Sequence, residues 1–378
     1  MTRAQKIVVS FLSTMACILL AAIGLASWQI YAGWASEPLG AALPTSPYTP
    51  IGLPPTWTAT ATLRSQAQAQ LKIFPTSTPY SPARCGGPRV MNILLIGSDT
   101  RGTTYTWGLS DVMRVVRVDF VTPRVTVLDF PRDLWVEIPY IADNLNGQDH
   151  EKLNQAYLYG NPGDGFHYWD DPSAGPGLLA RTLDLNFGVK VDHYLTVNMK
   201  TFVKMVDAVG GVDITLEKDV DGTDDPMFKK GTHHLNGTEA LALARNRKDG
   251  VFSRGENQDI VLCALQKKFE DPKVVTKIPD LIKSFQGSVQ TDLSPAVMGQ
   301  LACLAQQLPR ENISLYSFPE ELFTGTRIYD PVFKKNVFIW DADFLVLRNY
   351  VAQFQAGSWP SSASEDSSLS DASISFCK

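Results

Sequence analysis

An uncharged, largely apolar run from Ile7 to Ser36 opens the chain. A transmembrane helix needs about 20 apolar residues, so this run is long enough to cross a bilayer. Arg3 and Lys6 precede it and no acidic residue does. The positive-inside rule therefore places residues 1–6 in the cytoplasm and the rest of the chain outside. A cleaved signal peptide is the alternative, but no clear small-x-small site ends the run. We expect residues 7–34 to form a single-pass membrane anchor.

Cysteine usage agrees with an extracytoplasmic location, where disulfides form and persist. Of the 5 cysteines, Cys17 falls in the predicted anchor, and the others are Cys85, Cys263, Cys303 and Cys377. Two disulfides allow three pairings. We expect Cys263–Cys303, which would tie two predicted helices, and Cys85–Cys377, which would tie the ends of the domain. Unpaired buried thiols are the alternative.

Composition divides the remaining chain into a linker, a folded region and a tail. Residues 35–88 are crowded with Pro, Thr and Ser, and residues 357–378 are rich in Ser. Such segments bury too little apolar surface to fold, and prolines stiffen them, so we expect 35–88 to be an extracellular tether. The formal net charge of −5 argues against nucleic-acid binding, which normally requires a basic surplus.

The folded region shows strand and helix patterns in alternation. Period-2 runs of β-branched residues predict strands at 91–97, 112–120, 123–130, 134–138, 191–198 and 212–216. Helical periodicity is found at 150–160, 175–187, 199–209, 235–246, 255–270, 274–285, 294–307 and 341–354. This alternation predicts one extracytoplasmic three-layer α/β/α domain with a central mixed sheet. We expect its catalytic part at 89–270 and a helical and strand extension at 271–356.

Acidic, basic and amide side chains gather at or near the ends of the predicted elements. They are Asp99, Arg101, Asp111, Arg132, Lys152, Asn154, Arg245, Arg247, Arg254 and Gln258. Each alone is more simply a solvated charge or a structural ion pair. Together they supply carboxylates for an oxygen-ligated Mg²⁺ or Mn²⁺ and guanidinium groups for bidentate phosphate contacts. That combination favours phosphoryl transfer, in which charge on the phosphate oxygens must be neutralised. The sequence contains neither a Walker loop nor a dinucleotide-binding glycine motif.

A series of short motifs between Met91 and Lys268 resembles the LytR–CpsA–Psr family in order and spacing. They are Asn92-Ile93-Leu94-Leu95-Ile96-Gly97-Ser98-Asp99-Thr100-Arg101, Ser110-Asp111-Val112-Met113, Pro131-Arg132-Asp133, Lys152-Leu153-Asn154-Gln155-Ala156-Tyr157, Val209-Gly210-Gly211-Val212-Asp213, Leu235-Asn236-Gly237-Thr238-Glu239-Ala240-Leu241 and Ala244-Arg245-Asn246-Arg247. Each motif is short, and their common order is what makes the resemblance specific.

The resemblance implies a membrane-anchored, extracytoplasmic phosphotransferase. Family members move a glycopolymer phosphate from a polyprenyl diphosphate carrier to peptidoglycan, and they hold the lipid in an apolar tunnel. By motif position, Asp99 and Asp111 would bind Mg²⁺ and the diphosphate. The residues expected to hold the diphosphate oxygens are Arg132, Arg245, Arg247, Arg254 and Gln258, with Arg101 nearby. Lys152 and Asn154 are further candidate substrate-binding residues.

Two positions depart from the family pattern. Leu109 stands where a basic residue often precedes Ser-Asp, and Asn257 replaces the second arginine of an Arg-x-x-Arg-Gln motif. Losing one charged contact to a diphosphate could reduce its binding by about 1.5–3 kcal/mol. The Asn257 departure keeps non-catalytic binding of lipid-linked or wall glycan open as an alternative to the transferase. Hydrolysis of polyprenyl diphosphates, with water replacing the sugar, is a further alternative. A requirement for Mg²⁺ would separate an enzyme from a binding protein, and a requirement for an acceptor would separate a transferase from a hydrolase.

Overall fold

The structure is a computed structural model that describes the greater part of the chain. The described residues are 33, 35–44, 81–100, 102, 105–163, 165–220, 228–246, 251–269, 271, 274, 288–359 and 374–376, with only the backbone given at 251–254, 269 and 374–376. All of the predicted anchor except Gly33 lies outside them, and so does the predicted helix 274–285 except Val274. In the described residues, no helix is both long and apolar enough to span a bilayer.

The described strands are numbered in chain order. They are β1 Val90–Ser98, β2 Ser110–Asp119, β3 Arg124–Asp129, β4 Trp135–Glu137, β5 His150–Lys152, β6 His193–Asn198, β7 Val212–Leu216, β8 Gly231–Leu235, β9 Gln290–Thr291, β10 Ile313–Ser317, β11 Phe323–Asp330, β12 Lys335–Ala342 and β13 Ile374–Phe376. In this part of the chain, a seven-stranded sheet has the order β13–β10–β3–β2–β1–β6–β9. The pairs β1–β6 and β3–β10 are parallel, while β1–β2 and β2–β3 are antiparallel. The predicted central mixed sheet is therefore confirmed.

Helices cover both faces of this sheet. The described α-helices are α1 Gln155–Gly160, α2 Ala174–Phe187, α3 Met199–Ala208, α4 Gly237–Arg245, α5 Val251–Phe269, α6 Pro295–Ala305 and α7 Phe344–Ala356. On one face, Leu94 and Ile96 of β1 join a core made with α1, α2 and α7. On the other face, Ile93 packs toward Leu304 of α6. Successive strand residues point to opposite faces, so β1 is apolar on both sides because it is covered on both sides.

Helices α3, α4 and α5 belong to a separate apolar cluster. Its members are Val206, Val212, Ile214, Leu216, Val220, Phe228, Leu235, Ala240, Ala242, Leu243, Val261 and Ala264. They come from these helices, from the β7–β8 hairpin and from the segment that follows β7. Among the described residues, no member of the cluster belongs to the central sheet. The three helices are thus held together by the hairpin rather than by the sheet that they cover.

Two regions differ from the sequence-based expectation. The predicted helix 150–160 is wrong over its first residues, because β5 pairs with β4 there and α1 begins only at Gln155. In the segment 271–356, predicted helical patterns left the strands unplaced: β10 joins the central sheet beside β3, and β11 pairs with β12 in a hairpin. The strand content expected for this segment is therefore present. The bounds of β10 to β12 were not predicted, because these strands pair with residues distant in sequence or across a hairpin lacking an Asn-Gly-type turn.

Both predicted disulfide pairings are wrong. Cys85 is bonded to Cys303, with a Cα–Cα distance of 5.9 Å. The bond forms here because the short 3-10 helix Arg84–Gly86 places Cys85 in the apolar cluster that α6 makes with the sheet. Cys263 is also a disulfide cysteine, while Cys17 and Cys377 lie outside the described residues. The Cys85–Cys303 bond therefore joins the start of the folded region to α6.

A buried carboxyl pair joins β5 to the β11–β12 hairpin. Glu151 and Asp330 are both fully buried. Asp330 Oδ1 accepts hydrogen bonds from the backbone N–H groups of Val332 and Phe333, each at 2.9 Å. Burial, together with the charge and hydrogen bonding of Asp330, raises the pKa of Glu151 to about 8. We therefore expect Glu151 to carry a proton at neutral pH.

Removing the Cys85–Cys303 bond should destabilise the folded domain. The bond closes a loop with a sequence separation of 218 residues, for which the chain-entropy model gives about 5 kcal/mol. We predict that the double variant Cys85→Ser/Cys303→Ser has a lower melting temperature and a lower free energy of unfolding than the native chain, by up to this amount. Thermal and urea unfolding would measure both quantities. Equal stability of the two proteins would contradict the prediction.

Stability should decrease with rising pH because of Glu151. A carboxyl group whose folded pKa is raised binds its proton more tightly in the folded state. Its contribution is therefore fully present below the unfolded pKa of 4.5 and is lost as the pH rises through about 8. We predict that the melting temperature of the native chain falls between pH 6 and pH 9, and that Glu151→Gln removes most of this fall. If the melting temperature of Glu151→Gln falls with pH as steeply as that of the native chain, the pH dependence comes from another group.

Candidate functional site

The candidate site lies at one edge of the central sheet, where β1 and β6 end. Ser98 is opposite Asn198 in the parallel β1–β6 pair and opposite Ser110 in the antiparallel β1–β2 pair. The carboxyl ends of β1 and β6 and the amino end of β2 therefore meet at this edge. Open α/β sheets bind ligands at such edges because the loops that follow the strands can converge there.

Asp111 occupies a β-bulge at the start of β2. Gly97 is paired with Val112 and Ser98 with Ser110, so Asp111 has no opposite residue on β1. A bulge bends the strand locally and re-aims the side chain of the extra residue. Here, Asp111 becomes part of the wall of a cavity behind the sheet edge. The sequence Ser-Asp predicted the carboxylate, while its direction depends on this bulge.

The loop after β1 folds back over the strand end and fixes Asp99. The backbone N–H of Asp99 donates to Leu109 O at 3.0 Å, and Leu109 N–H donates to Asp99 Oδ1 at 2.7 Å. Gly108 has a φ of +128°, and a Cβ there would lie 2.3 Å from Thr100 Oγ1. Only glycine allows so close a return of the chain. The Leu109 side chain packs against the core, so the departure from the family pattern leaves an apolar contact at this position.

Arg132 is held by two carboxylates. Its Nη1 donates to Asp111 Oδ1, and its Nε donates to Asp133 Oδ2 at 3.2 Å. The other oxygen of Asp133 accepts from Lys152 Nζ at 2.7 Å. Burial opposes the charged form, but Asp111 and Asp133 outweigh it and raise the pKa of Arg132. Two acids and two bases thus alternate in one chain of ion pairs, which orders Arg132 and Lys152 at the sheet edge.

Asn154 joins β2 to the segment after β3 through its backbone. Its carbonyl oxygen accepts hydrogen bonds from the backbone N–H and the Oγ of Ser110, both at 3.2 Å. Its own N–H donates to Arg132 O at 3.1 Å. The side chain is buried, with only 3% of the residue exposed. These contacts indicate a structural role for Asn154, while its predicted substrate contact stays a prediction.

An apolar cavity of about 220 Å³ extends from this edge between the sheet and α3, α4 and α5. Its apolar walls include Leu95, Leu195, Val197, Phe202, Met205, Leu241, Val261, Leu262 and Leu265. Its polar lining comes from Ser98, Asp111, Arg114, Asn198, Arg245 and Gln258. The cavity exists because α3 to α5 are packed on the β7–β8 hairpin and leave a gap over the sheet. This lining suits a largely apolar ligand with a polar or charged end.

A buried guanidinium forms part of the cavity wall. Arg114 is only 1% exposed. Its Nε lies 3.1 Å from Asp129 Oδ1, and its Nη1 is paired with Asp259 of α5. Its Nη2 donates to Gln258 Oε1 at 3.4 Å. Burial opposes the charge, but Asp129 and Asp259 raise the pKa of Arg114. Arg114 therefore ties α5 to β2 and positions Gln258, whose Nε2 donates to Ala244 O at 3.4 Å.

The structure brings several predicted site residues together. Asp99, Asp111, Arg132, Lys152 and Asn154 lie on neighbouring segments at the sheet edge, and Arg245 and Gln258 line the cavity. Arg101 and Arg247 lie outside the described residues, and Arg254 is described only as backbone of α5. The predicted contacts of these three arginines therefore stay predictions.

Two site residues were missed by sequence reasoning. Asp133 orients both Arg132 and Lys152, and it stands inside the quoted Pro-Arg-Asp motif. Arg114 interrupts the apolar run of β2, and a charged residue inside a strand covered on both faces requires buried partners. A charged residue inside this apolar run could therefore have predicted a buried ion pair at Arg114. Its partners could not be predicted, because Asp259 is 145 residues away in sequence.

The carboxylates present fit a magnesium ion bound together with phosphate. Among the described residues, no three or more His, Cys, Asp or Glu side chains gather as metal ligands. Mg²⁺ commonly takes only one or two protein carboxylates and completes its shell with substrate phosphate oxygens and water. Asp99 and Asp111 follow Ser98 and Ser110, which are opposite each other in the β1–β2 pair. Their oxygen-donor chemistry and their placement at one edge suit such a partly completed site.

Comparison with known protein families gives one match over most of the chain. A profile of the LytR_cpsA_psr family matches residues 65–343. This range contains the sheet edge, the cavity and all the predicted site residues. The motifs quoted from the sequence also fall within it.

Curated relatives match a shorter region. "Regulatory protein MsrR" of Staphylococcus aureus (strain COL) is 32% identical over 209 residues, which is 54% of this chain and 56% of the relative. "Polyisoprenyl-teichoic acid–peptidoglycan teichoic acid transferase TagU" of Bacillus cereus (strain AH820) is 32% identical over 208 residues, or 54% of this chain and 61% of the relative. The matched region thus spans little more than half the length of these relatives.

Solved structures share the fold. The crystal structure of TagV from B. subtilis is similar with a TM-score of 0.54 and 26% sequence identity, over 71% of this chain and 98% of that chain. TagT from B. subtilis has a TM-score of 0.52 and 22% identity, over 73% and 96% of the two chains. The mixed α/β architecture described above is therefore one that these proteins also have.

Removing the Arg114 guanidinium should destabilise the wall of the cavity. Arg114→Met leaves Asp129 and Asp259 without their buried partner, and breaking a buried ion pair typically costs about 3–5 kcal/mol. We predict a loss of this size in the free energy of unfolding. The triple variant Arg114→Met/Asp129→Asn/Asp259→Leu should recover most of it, because no unpaired charge remains. Thermal unfolding would compare the proteins, and a triple variant as unstable as Arg114→Met would contradict the charge argument.

Proposed function

Because the chain belongs to the LytR–CpsA–Psr family, we propose that it is an extracytoplasmic phosphotransferase that moves a glycopolymer phosphate from a polyprenyl diphosphate carrier to peptidoglycan. The observation that carries this proposal is the apolar cavity whose polar lining includes Asp111, Arg245 and Gln258. A polyprenyl diphosphate has the matching chemistry, since it joins a hydrocarbon chain to an anionic group. The name of the B. cereus relative, a transferase from a polyisoprenyl-linked teichoic acid to peptidoglycan, supports the same substrate class.

The polyprenyl chain would occupy the space between the sheet and α3 to α5. Leu195, Phe202 and Leu265 are among the side chains that line it. Burying hydrocarbon there gains roughly 0.8 kcal/mol for each CH₂ group removed from water. The lipid would therefore supply much of the binding free energy. The charged groups at the sheet edge would position the diphosphate.

Arg132 and Arg245 would bind the diphosphate oxygens, together with Arg247 and Arg254, whose side chains lie outside the described part of the chain. Arg132 is already ordered by Asp111 and Asp133, so little side-chain freedom would be lost when phosphate binds. Lys152, held by the same Asp133, adds a second cation at this position. Gln258 would donate an amide hydrogen bond. Bound Mg²⁺, held by Asp99 and Asp111, would neutralise negative charge on the phosphate oxygens.

In the proposed reaction, a hydroxyl of a wall sugar attacks the phosphorus nearest the glycan. The new O–P bond forms as the bond to the bridging oxygen breaks, and polyprenyl monophosphate leaves with that oxygen. One of the site carboxylates accepts the hydroxyl proton. The arginines stabilise the charge that develops on the phosphoryl oxygens, which is usually the largest contribution to catalysis in such reactions.

We further propose that residues 7–34 anchor the protein in the cell membrane with the N-terminus in the cytoplasm and the folded domain outside. The uncharged run and the preceding Arg3 and Lys6 support this orientation. It brings the cavity to the side of the membrane where a wall acceptor is found. It also keeps the enzyme in the same bilayer as its lipid-linked donor.

Replacing Arg132 should abolish most of the transfer. We predict that Arg132→Ala lowers kcat/KM by roughly 10²–10³, the usual effect of removing one stabilising donor. The assay would combine the full chain in detergent, a synthetic polyprenyl diphosphate-linked sugar, a peptidoglycan fragment and Mg²⁺, with products identified by mass spectrometry. Arg124→Ala is the matched control, because Arg124 is an exposed residue at the opposite end of β3. Melting temperatures would confirm that both variants are folded.

The same assay separates the alternatives. A phosphosugar joined to the wall fragment, formed only with Mg²⁺ and lost in Asp99→Asn and Asp111→Asn, is the expected result. Free phosphosugar without an acceptor adduct would indicate a hydrolase. Tight metal-independent binding of the lipid without turnover would indicate a binding protein. Equal activity of Arg132→Ala and Arg124→Ala would contradict the assignment of Arg132 to the diphosphate site.

A further inference from the structure

A short segment after the predicted anchor lies on the folded domain. Residues 39–44, called the strap below, run beside the end of β9. Leu39 N–H donates to Leu293 O at 3.3 Å, and Tyr194 donates its hydroxyl hydrogen to Ala41 O at 3.1 Å. Leu43 packs against the apolar core that α1, α2 and α7 form on the sheet. The strap thus makes polar contacts at two places and an apolar contact at a third.

The fit of the strap depends on a glycine. A Cβ added to Gly40 would lie 2.6 Å from the backbone oxygen of Thr291. Real Cβ atoms do not approach a backbone oxygen so closely, and the backbone of Thr291 has little freedom to move away. Any larger residue at position 40 would push the strap off the domain. Gly299 in α6 offers a matched contrast, since a Cβ there would have no atom within 4 Å.

The surface that receives the strap is itself firmly held. Thr291 Oγ1 donates to Tyr194 O at 2.6 Å. The Asp292 carboxylate accepts from Tyr194 N–H at 2.8 Å and lies 3.3 Å from His193 Nδ1. Thr291 and Asp292 are 4% and 3% exposed. The strap is therefore bound to a part of the domain that is fastened to the central sheet through β6.

The position of the strap changes the length of chain that separates the domain from the membrane. A free tether of residues 35–88 could extend to about 180 Å, and as a flexible coil it would span about 40 Å on average. With the strap bound, only residues 35–38 separate the end of the predicted anchor from Leu39. They can span no more than about 20 Å. Residues 45–80 lie between the strap and the segment at Arg84, whose backbone N–H donates to Phe120 O at 2.9 Å. Because both flanking segments contact the domain, the length of 45–80 no longer affects the distance between the domain and the membrane.

We infer that the strap holds the domain at the surface of the lipid bilayer, within about 20 Å of the outer end of the anchor. The inference rests on the anchor that is part of the proposed function, and it replaces the expected long tether by a short one. Its partner is the lipid headgroup layer. A domain held there lies at the level of the headgroups, where the phosphate of a lipid-linked donor is found. The acceptor must then approach the membrane.

Neutron reflectometry on a supported phosphatidylethanolamine/phosphatidylglycerol bilayer containing the full chain would test the inference. The native chain and Gly299→Ala should both give a protein layer that begins within about 20 Å of the headgroups. Gly40→Ala should give a layer that is displaced outward and broadened by some tens of Å, as expected for a flexible tether. Melting temperatures equal to that of the native chain would show that Gly40→Ala keeps the domain folded.

An insertion makes the test independent of the Gly40 substitution. A 40-residue Gly/Ser segment placed after Thr60 should leave the layer height of the native chain unchanged, because the insertion lies between two docked segments. In Gly40→Ala, the same insertion should move the layer further outward.

A layer that rises with the insertion in the native chain would overturn the inference. The same conclusion would follow from a layer that stays close in Gly40→Ala with the insertion, because another contact would then hold the domain. If the chain washes off the bilayer, both the proposed anchor and the inference about the strap would be contradicted. The transfer assay in detergent reports on the reaction separately, so failure of the chemistry would be distinguished from failure of the strap.

Discussion

The gap between the central sheet and helices α3 to α5 is the constraint on which the rest of the site depends. These helices bury their apolar residues against one another and against the β7–β8 hairpin. Among the described residues, this cluster contains none from the seven-stranded sheet. A helix layer with its own core does not need to close onto the strands beneath it. On this side of the sheet, Leu95 of β1 and Leu195 and Val197 of β6 therefore line a cavity, and a lipid chain could cover them.

The charged groups at the sheet edge beside this cavity neutralise one another. Arg132 and Lys152 share Asp133, and Arg132 also binds Asp111. Arg114 is neutralised by Asp129 and Asp259 on the cavity wall. Removing one member of either group would leave a charge in a partly or fully buried place, which is costly. The same pairing keeps the cations fixed for phosphate binding, so stability and the proposed catalysis depend on the same contacts.

The sequence was most informative where local signals agree with the fold. The strands β1 to β3 and the helix α2 follow from periodicity, and the site edge follows from acids and bases at the ends of those strands. Three features could not be derived locally. The bulge at Asp111 is a property of the β1–β2 register, the Arg114–Asp259 pair joins distant residues, and the Cys85–Cys303 bond depends on how α6 packs on the sheet. Each depends on tertiary contacts that periodicity does not encode.

In the proposed complex, one ligand occupies both the apolar cavity and the charged edge. Photo-crosslinking of the full chain with a polyprenyl diphosphate that carries a diazirine in its hydrocarbon tail tests this most directly. We expect crosslinks at cavity residues such as Phe202, Met205 and Leu265. We also expect a yield roughly 10-fold or more lower in Arg132→Ala than in Arg124→Ala, because a charged phosphate contact contributes about 1.5–3 kcal/mol. Crosslinks outside the cavity, or equal yields in the two variants, would contradict it.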